Sequence, residues 1–432
     1  MRTFARIVLG LVVLLVAAAS AMLWLGYRDR PAPAAANAAQ AAPADPAALV
    51  EQGRYLASVG NCMGCHTATG GKPFAGGRAL PTPFGRFYGP NLTPDDETGI
   101  GRWSADDFWH ALHDGKAPDG SLLYPAFPYP SYTRMRRADA DALYAYLRSL
   151  PAVRQPNRAH ELSFPYDQRP LIAFWRALYF RGAPADGAGR GDAASAQWLR
   201  GQYLVEGLAH CAECHTPRNR LGALDASAGL TGAVIPGQNW YAPPLTADAV
   251  TGLGQWSEQD IVDLLKTGLA RQSHASGPMA EAVHVGFQHA SDADLQAMAA
   301  YIKSVPAAGL DAAAQGGAAG TAVLERGGRI YGQQCAQCHQ DDGRGREQAW
   351  PPLAGNISVV AASPVNAIRM VLSGGFAPVT AADPQPHGMP PFGQSLDDQD
   401  VAAVVTYIRQ SWGNRAPAVA LPEVRRVRET IR

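Results

Sequence analysis

Residues 7–25 form one apolar run, with Arg2 and Arg6 before it and Arg28 and Arg30 after it. At about 1.5 Å per residue such a run reaches across the roughly 30 Å of a bilayer core. Ala19-Ser20-Ala21 offers a small-residue cleavage pattern, so segment 1–30 reads as a signal peptide or a membrane anchor. Its length favours an anchor that is kept. Basic residues on both flanks leave its orientation undecided by charge. Residues 31–47 are rich in Ala and Pro and predict a tether.

From residue 48 a polar–apolar pattern recurs three times. Each copy opens with a short helical stretch holding Gly and Tyr: Gly53-Arg54-Tyr55-Leu56, Gly201-Gln202-Tyr203-Leu204 and Gly328-Arg329-Ile330-Tyr331. The Tyr residues are expected to pack where helices cross. A loop follows, with Asn91-Leu92-Thr93 leading to Trp103, Pro244-Leu245-Thr246 leading to Trp256, and a shorter Pro351-Pro352-Leu353-Ala354-Gly355. Ser104-Ala105-Asp106-Asp107 and Ser257-Glu258-Gln259-Asp260 read as capping boxes, with Gly115 and Gly268 as stops. The third equivalent is a helix at 367–372 ended by Gly374 and Gly375. Terminal helices are predicted at 139–150, 292–305 and 397–409, acidic at the start and basic at the end as the helix dipole favours. Between the first two copies, residues 162–181 are apolar and aromatic and predict a helix against its own domains or a membrane or subunit contact; 182–191 reads as a linker. The basic end, with Arg425, Arg426, Arg428 and Arg432, reads as a solvated tail or an anionic-lipid contact.

All six Cys fall into one pattern inside these repeats: Cys62-Met63-Gly64-Cys65-His66, Cys211-Ala212-Glu213-Cys214-His215 and Cys335-Ala336-Gln337-Cys338-His339. Cys-x-x-Cys-His is the covalent attachment sequence of c-type haem. Two thiols one helical turn apart can each add to a vinyl group, and the following His then lies under the iron. A zinc site needs four ligands where each cluster supplies three. A redox Cys-x-x-Cys leaves three following His unexplained. Three covalently bound haems c are therefore expected. With helices before and after each motif, the fold class is mainly α: three tandem class I cytochrome c domains (48–155, 196–308 and 322–413) behind an N-terminal apolar helix. The connecting segment is 156–195, a second linker 309–321 and the tail 414–432.

A low-spin electron carrier needs a sixth ligand, most often a Met thioether before the last helix. Met389, in Gly388-Met389-Pro390-Pro391-Phe392, and Met279, after Pro278, fit in the third and second domains, with His274, His284 and His289 as weaker candidates. In the first domain Phe127 aligns near the Met279 position and cannot ligate iron. Met135 is then the candidate, against another ligand or an open sixth position. Met22, Met63, Met298 and Met370 read as membrane-facing, haem-wall or core residues.

Lys and Arg number 37, as do Asp and Glu, so there is no basic field for nucleic acid. Neither a dinucleotide fingerprint nor a hydrolase elbow is found, which argues against substrate catalysis. Haem attachment sets the domains outside the cytoplasm. The chain also resembles a family: triheme cytochrome c subunits of bacterial membrane-bound dehydrogenases. The resemblance runs over residues 48–413 and rests on Tyr88-Gly89-Pro90-Asn91-Leu92-Thr93-Pro94-Asp95, Tyr124-Pro125-Ala126-Phe127-Pro128-Tyr129, His210 to Asn219, Gly277-Pro278-Met279-Ala280-Glu281 and Tyr407 to Asn414. It implies a large partner subunit (quinoprotein, flavoprotein or molybdenum enzyme), delivery to ubiquinone, and a place on the periplasmic face of the cytoplasmic membrane. Phe127 departs from the alcohol-dehydrogenase type and is similar to partners of molybdenum enzymes. Two other readings stay open: a free-standing carrier to a terminal oxidase, and a haem enzyme with an open first iron.

Overall fold

The computed structural model describes residues 2–29, 45–183, 195–312, 314–346 and 349–431. The tether and the linker 182–191 lie almost wholly outside them. Helix Arg2–Tyr27 comes first, long and apolar enough to cross a membrane. The three repeats follow. Their entry helices are Pro46–Val59, Ala196–Gln202 continued by a π-helical Tyr203–Leu208, and Thr321–Gln334. Their terminal helices are Arg137–Ser149, Asp292–Lys303 and Asp398–Gln410.

Entry and terminal helices cross in the same way each time. A Cβ on Gly53, Gly201 or Gly327 would lie 1.9, 2.0 or 2.3 Å from the carbonyl oxygen of Ala142, Ala297 or Ala403. Only glycine lets two backbones approach that closely. Tyr146, Tyr301 and Tyr407, from the terminal helices, pack over these crossings. In the third domain the crossing residue is Gly327, one position before the Gly328 that sequence alignment selects. The first motif cysteine lies nine, ten and eight positions after the crossing glycine in the three domains. The π-helical turn absorbs the extra residue of the second.

Both capping boxes form, Ser104 with Asp107 and Ser257 with Asp260, and a third joins Asp397 to Asp400. Gly115 (φ 62°) and Gly268 (φ 79°) end their helices in the left-handed region. The basic residue ending each terminal helix does more than meet the dipole. Arg148 donates to Gly101 O, Lys303 to the carbonyls of Leu253 (2.9 Å) and Gly254 (3.0 Å), and buried Arg409 to those of Val359 (2.6 Å) and Ala361 (2.9 Å). Each tethers the loop after the motif to the last helix.

The first two domains share one hydrophobic core, which includes Leu56, Phe108, Leu143, Leu204, Leu208 and Met298. The third has its own, around Ile368, Val401, Val404 and Val405. Two departures from expectation sit at the edges. Helix Leu171–Tyr179 of the connecting segment packs on the N-terminal helix, with Ala173 against Gly26. The C-terminal stretch is not a free tail: helix Leu421–Thr430 buries Val424 and Val427 on the third domain, and Arg428 Nε donates to Asp398 at 2.8 Å. Met22 is also only partly exposed, on the stripe Ala19, Met22, Leu25 and Gly26, rather than wholly membrane-facing.

Candidate metal centres

Each motif is one short helical turn. In the first two domains a residue of positive φ, Asn61 (49°) or His210 (41°), turns the chain out of the entry helix and into the motif. The two cysteines of each motif are unpaired thiols. Burial, and then the neighbouring thiol, pushes Cys62 and Cys211 up to about 12 and Cys335 up to about 11, so the sulfurs are uncharged.

The following histidines share one arrangement. His66 Nδ1 meets Pro90 O at 2.9 Å, His215 Nδ1 meets Pro243 O at 2.6 Å, and His339 Nδ1 meets Pro351 O at 3.0 Å. Burial lowers the pKa of all three rings and the carbonyl only partly offsets it. The rings are therefore neutral, with Nδ1–H donating to the carbonyl and Nε2 carrying the lone pair. This is how a metal-ligating His is usually oriented. The loop is held tightly in turn: a Cβ on Gly89 would lie 2.0 Å from Cys65 O, and Asn91 Nδ2 donates to Val153 O at 2.8 Å.

Sequence reading missed these prolines as orienting residues. The signal was present, since Pro90-Asn91-Leu92, Pro243-Pro244-Leu245 and Pro351-Pro352-Leu353 share one Pro-x-Leu frame. Among the described residues no group of three or more His, Cys, Asp or Glu converges to hold a bare metal ion. Two uncharged thiols one turn apart beside a ring with a free Nε2 fit a covalently attached haem.

The methionine candidates lie on three different supports. Met135 is 1% exposed in the shared core, in the turn between Tyr132 and helix Arg137–Ser149. Phe127 packs beside it on Tyr132, ring centroids 5.4 Å apart. Met279 is in the first turn of helix Gly277–Val285, and Met389 is in the strand Gly388–Met389 paired with Gly375–Phe376. Met298 is fully buried in a terminal helix, and Met63 is partly buried against the shared core. The Met370 sulfur lies 3.3 Å from a Cβ built on Gly375. Two of the weaker histidines point elsewhere than the second domain's interior. His284 Nδ1 meets Val379 O at 2.6 Å, in the third domain. His274 follows Ser273, whose Oγ donates to Asn356 of the third domain at 3.4 Å, and burial holds its ring down to about 4.

The first and second centres meet across their domain junction. Burial, helped by the charge of Glu213 and opposed by that of Arg218, brings the Cys214 thiol up to about 11. Around them Arg78 Nη2 donates to Glu281 at 2.8 Å, Arg134 pairs with Glu206 at 2.6 Å, and Tyr132 packs edge-on against His210. The second domain thus touches both neighbours, with His210 Nε2 at 3.3 Å from Gly60 O and His284 Nδ1 at 2.6 Å from Val379 O. The arrangement is suited to passing charge between metal sites.

Three such modules in one chain define a multihaem c-type cytochrome. The cytochrome c family model matches residues 50–151, 199–306 and 324–412, and the chain belongs to that family. Among its relatives is the cytochrome c subunit of alcohol dehydrogenase (quinone) from Gluconobacter oxydans, 40% identical over 91% of this chain and 85% of that protein. The cytochrome c subunit of gluconate 2-dehydrogenase from Pantoea cypripedii is 39% identical over 86% of this chain and 87% of that protein. A nicotinate dehydrogenase component from Pseudomonas putida is 41% identical over 86% of this chain but only 31% of its own length. With these relatives the chain is a dehydrogenase-type cytochrome c subunit with three covalently attached haems, an electron-transfer subunit rather than a catalytic one.

Proposed function

We propose that the protein takes electrons from a large dehydrogenase subunit and delivers them to ubiquinone at the periplasmic face of the cytoplasmic membrane. The observation that carries this is the middle position of the second domain: His210, just before its motif, meets Gly60 O of the first domain at 3.3 Å, and His284 meets Val379 O of the third at 2.6 Å. Bound haem iron supplies one-electron ferric–ferrous chemistry. The chain's own part is to attach, ligate and orient. Cys62, Cys65, Cys211, Cys214, Cys335 and Cys338 form the thioether links. His66, His215 and His339 are the proximal ligands, oriented by Pro90, Pro243 and Pro351. Met135, Met279 and Met389 are the sixth ligands. The burial of Met135 supports a closed first centre over a haem enzyme with an open iron.

Relatives that serve an alcohol, a gluconate and a nicotinate dehydrogenase match almost equally well. What they have in common is electron carriage, and the substrate belongs to the partner. Replacing Met135, Met279 or Met389 by Ala in turn is expected to convert one third of the low-spin haem spectrum to high spin. A Met135→Ala spectrum identical to that of the parent overturns the assignment in the first domain. Purification from detergent-solubilised native membranes is expected to bring down a stoichiometric large subunit. Recovery of the cytochrome alone with three intact haems would favour a free-standing carrier.

A further inference from the structure

The N-terminal helix is built into the first domain. Arg176 is 0% exposed, and its guanidinium donates to Gly26 O at 2.7 Å through Nε and to Asp114 O through Nη1. A cation on the last carbonyls of a helix meets the negative end of its dipole. At the same point a Cβ on Gly26 would lie 2.1 Å from Ala173 O, so the two helices are in backbone contact. Lys116 pairs with Asp29 just beyond. Removing this helix takes one of two carbonyl acceptors from the Arg176 guanidinium, a costly loss for a buried donor. Cleavage after Ala21 would leave only 22–29 on this side, a piece too short to stay helical alone, since isolated helices below about 12–15 residues are marginal. Ala19, Ser20 and Ala21 all lie inside the helix.

The surroundings of this clamp are apolar and exposed. Helix Arg2–Tyr27 has 26 residues, about 39 Å at 1.5 Å each, against about 30 Å of hydrocarbon. Its last turns therefore stand at headgroup level, where exposed Trp24 and Tyr27 suit the interface. Helix Leu171–Tyr179 docks at that level and exposes Leu171 and Leu178. Phe164 (81% exposed) and Tyr166 continue the surface, and Tyr166 packs tilted on Phe84, ring centroids 4.6 Å apart. Phe84 abuts Gly222, and Trp175 Nε1 donates to Leu221 O at 2.9 Å, which brings exposed Leu221 of the second domain into the same patch.

We propose that the N-terminal helix stays on the mature chain as a rigid stem, and that the patch of Phe164, Tyr166, Leu171, Leu178 and Leu221 at its foot rests in the headgroup layer of the bilayer the helix crosses. The proposal rests on the membrane-bound reading above. The stem then orients the molecule instead of merely tethering it: the first two domains lie against the membrane and the third stands away.

The full holoprotein, purified from native membranes and reconstituted in nanodiscs containing a phospholipid with a photoreactive headgroup, tests both parts by peptide mass spectrometry. Peptides from residues 7–21 are expected on the mature chain. Lipid adducts are expected on peptides containing Phe164 and Leu221, and at least fivefold fewer on the peptide containing Phe376, an exposed apolar residue of the third domain. A mature chain starting at Met22 overturns the retained stem. Equal labelling at all three sites, or labelling only of residues 2–29, overturns the membrane-resting patch, and the second result leaves a partner subunit as its occupant. Quinone reduction by the same nanodiscs reports separately on the proposed function.

Discussion

The junction between the first two domains and the junction between the last two are built on opposite plans. At the first, Tyr55 OH donates to Asp294 and Tyr203 OH to Asp139, each at 2.6 Å. Each acceptor starts the partner's terminal helix and is also held within its own domain, Asp294 by Arg200 (2.8 and 2.7 Å) and Asp139 by Gln52 (3.0 Å). The two contacts are related by an approximate two-fold, and beneath them the cores merge. At the second junction Asn366 lies along the strand edge at Tyr241, accepting from its N–H (2.8 Å) and donating to its carbonyl (2.7 Å), while Asn356 contacts Ser273 at 3.4 Å. Apart from Ile357, which packs with the shared core, the third domain's core stays separate. A merged core makes two domains fold as one unit; a polar seam lets the third fold on its own.

The largest test of this contrast is the same substitution made in two domains. Gly201→Val forces a side chain into the space of Ala297 O and is expected to destabilise by more than about 3 kcal/mol. Because the core is shared, the melting of the first two haem signals should shift together. Gly327→Val should reach only the third. Haem-region circular dichroism during a thermal melt of each variant checks this; independent loss of the second haem alone would break the contrast.

A smaller effect is expected from the tyrosine–aspartate contacts. Tyr203→Phe removes a hydrogen bond to a buried carboxylate, worth about 1–3 kcal/mol. The matching contact at Asp294 predicts a pH response. Burial raises the Asp294 carboxyl, but hydrogen bonds from Arg200 and Tyr55 and the charge of Arg200 outweigh it and hold the group below its ordinary value. A depressed carboxylate stabilises fully above its unfolded pKa of about 4, and that stability is lost as pH falls through the lower folded value. The first junction should therefore loosen below about pH 4, and Arg200→Gln should move the acid transition upward. Acid titration followed by haem circular dichroism measures the shift.

The smallest effect belongs to the seam. Asn366→Ala is expected to lose about 1 kcal/mol of docking without changing the melting of either core. Faster limited proteolysis between residues 306 and 321, with all three haems retained, is the expected result.

Much of this is legible in the chain itself. The three motifs, the capping boxes at Ser104 and Ser257 and the terminal helices follow from spacing and caps, which are local. The crossings at Gly53 and Gly201 are visible too. Gly327 hides behind Gly328 because the number of residues before the motif varies between the domains. Tyr55 and Tyr203 look like core residues, since only the neighbouring domain reveals their partners. His274 and His284 look like ligands for the same reason. The C-terminal helix is masked by its arginines; Val424 and Val427 alone mark its buried side.

The two-fold contact also bears on how many domains such a chain can join. A closed symmetric contact is used up by two copies, because each gives its tyrosine and takes the other's. The third domain keeps the inner pair, Arg326 Nε to Asp400 at 2.8 Å, yet carries exposed Arg329 where Tyr55 and Tyr203 stand. It could not have joined through that face even with a tyrosine, since both places were taken. Growth past two modules required a second kind of surface, and Asn366 against the edge at Tyr241 is the one this chain uses.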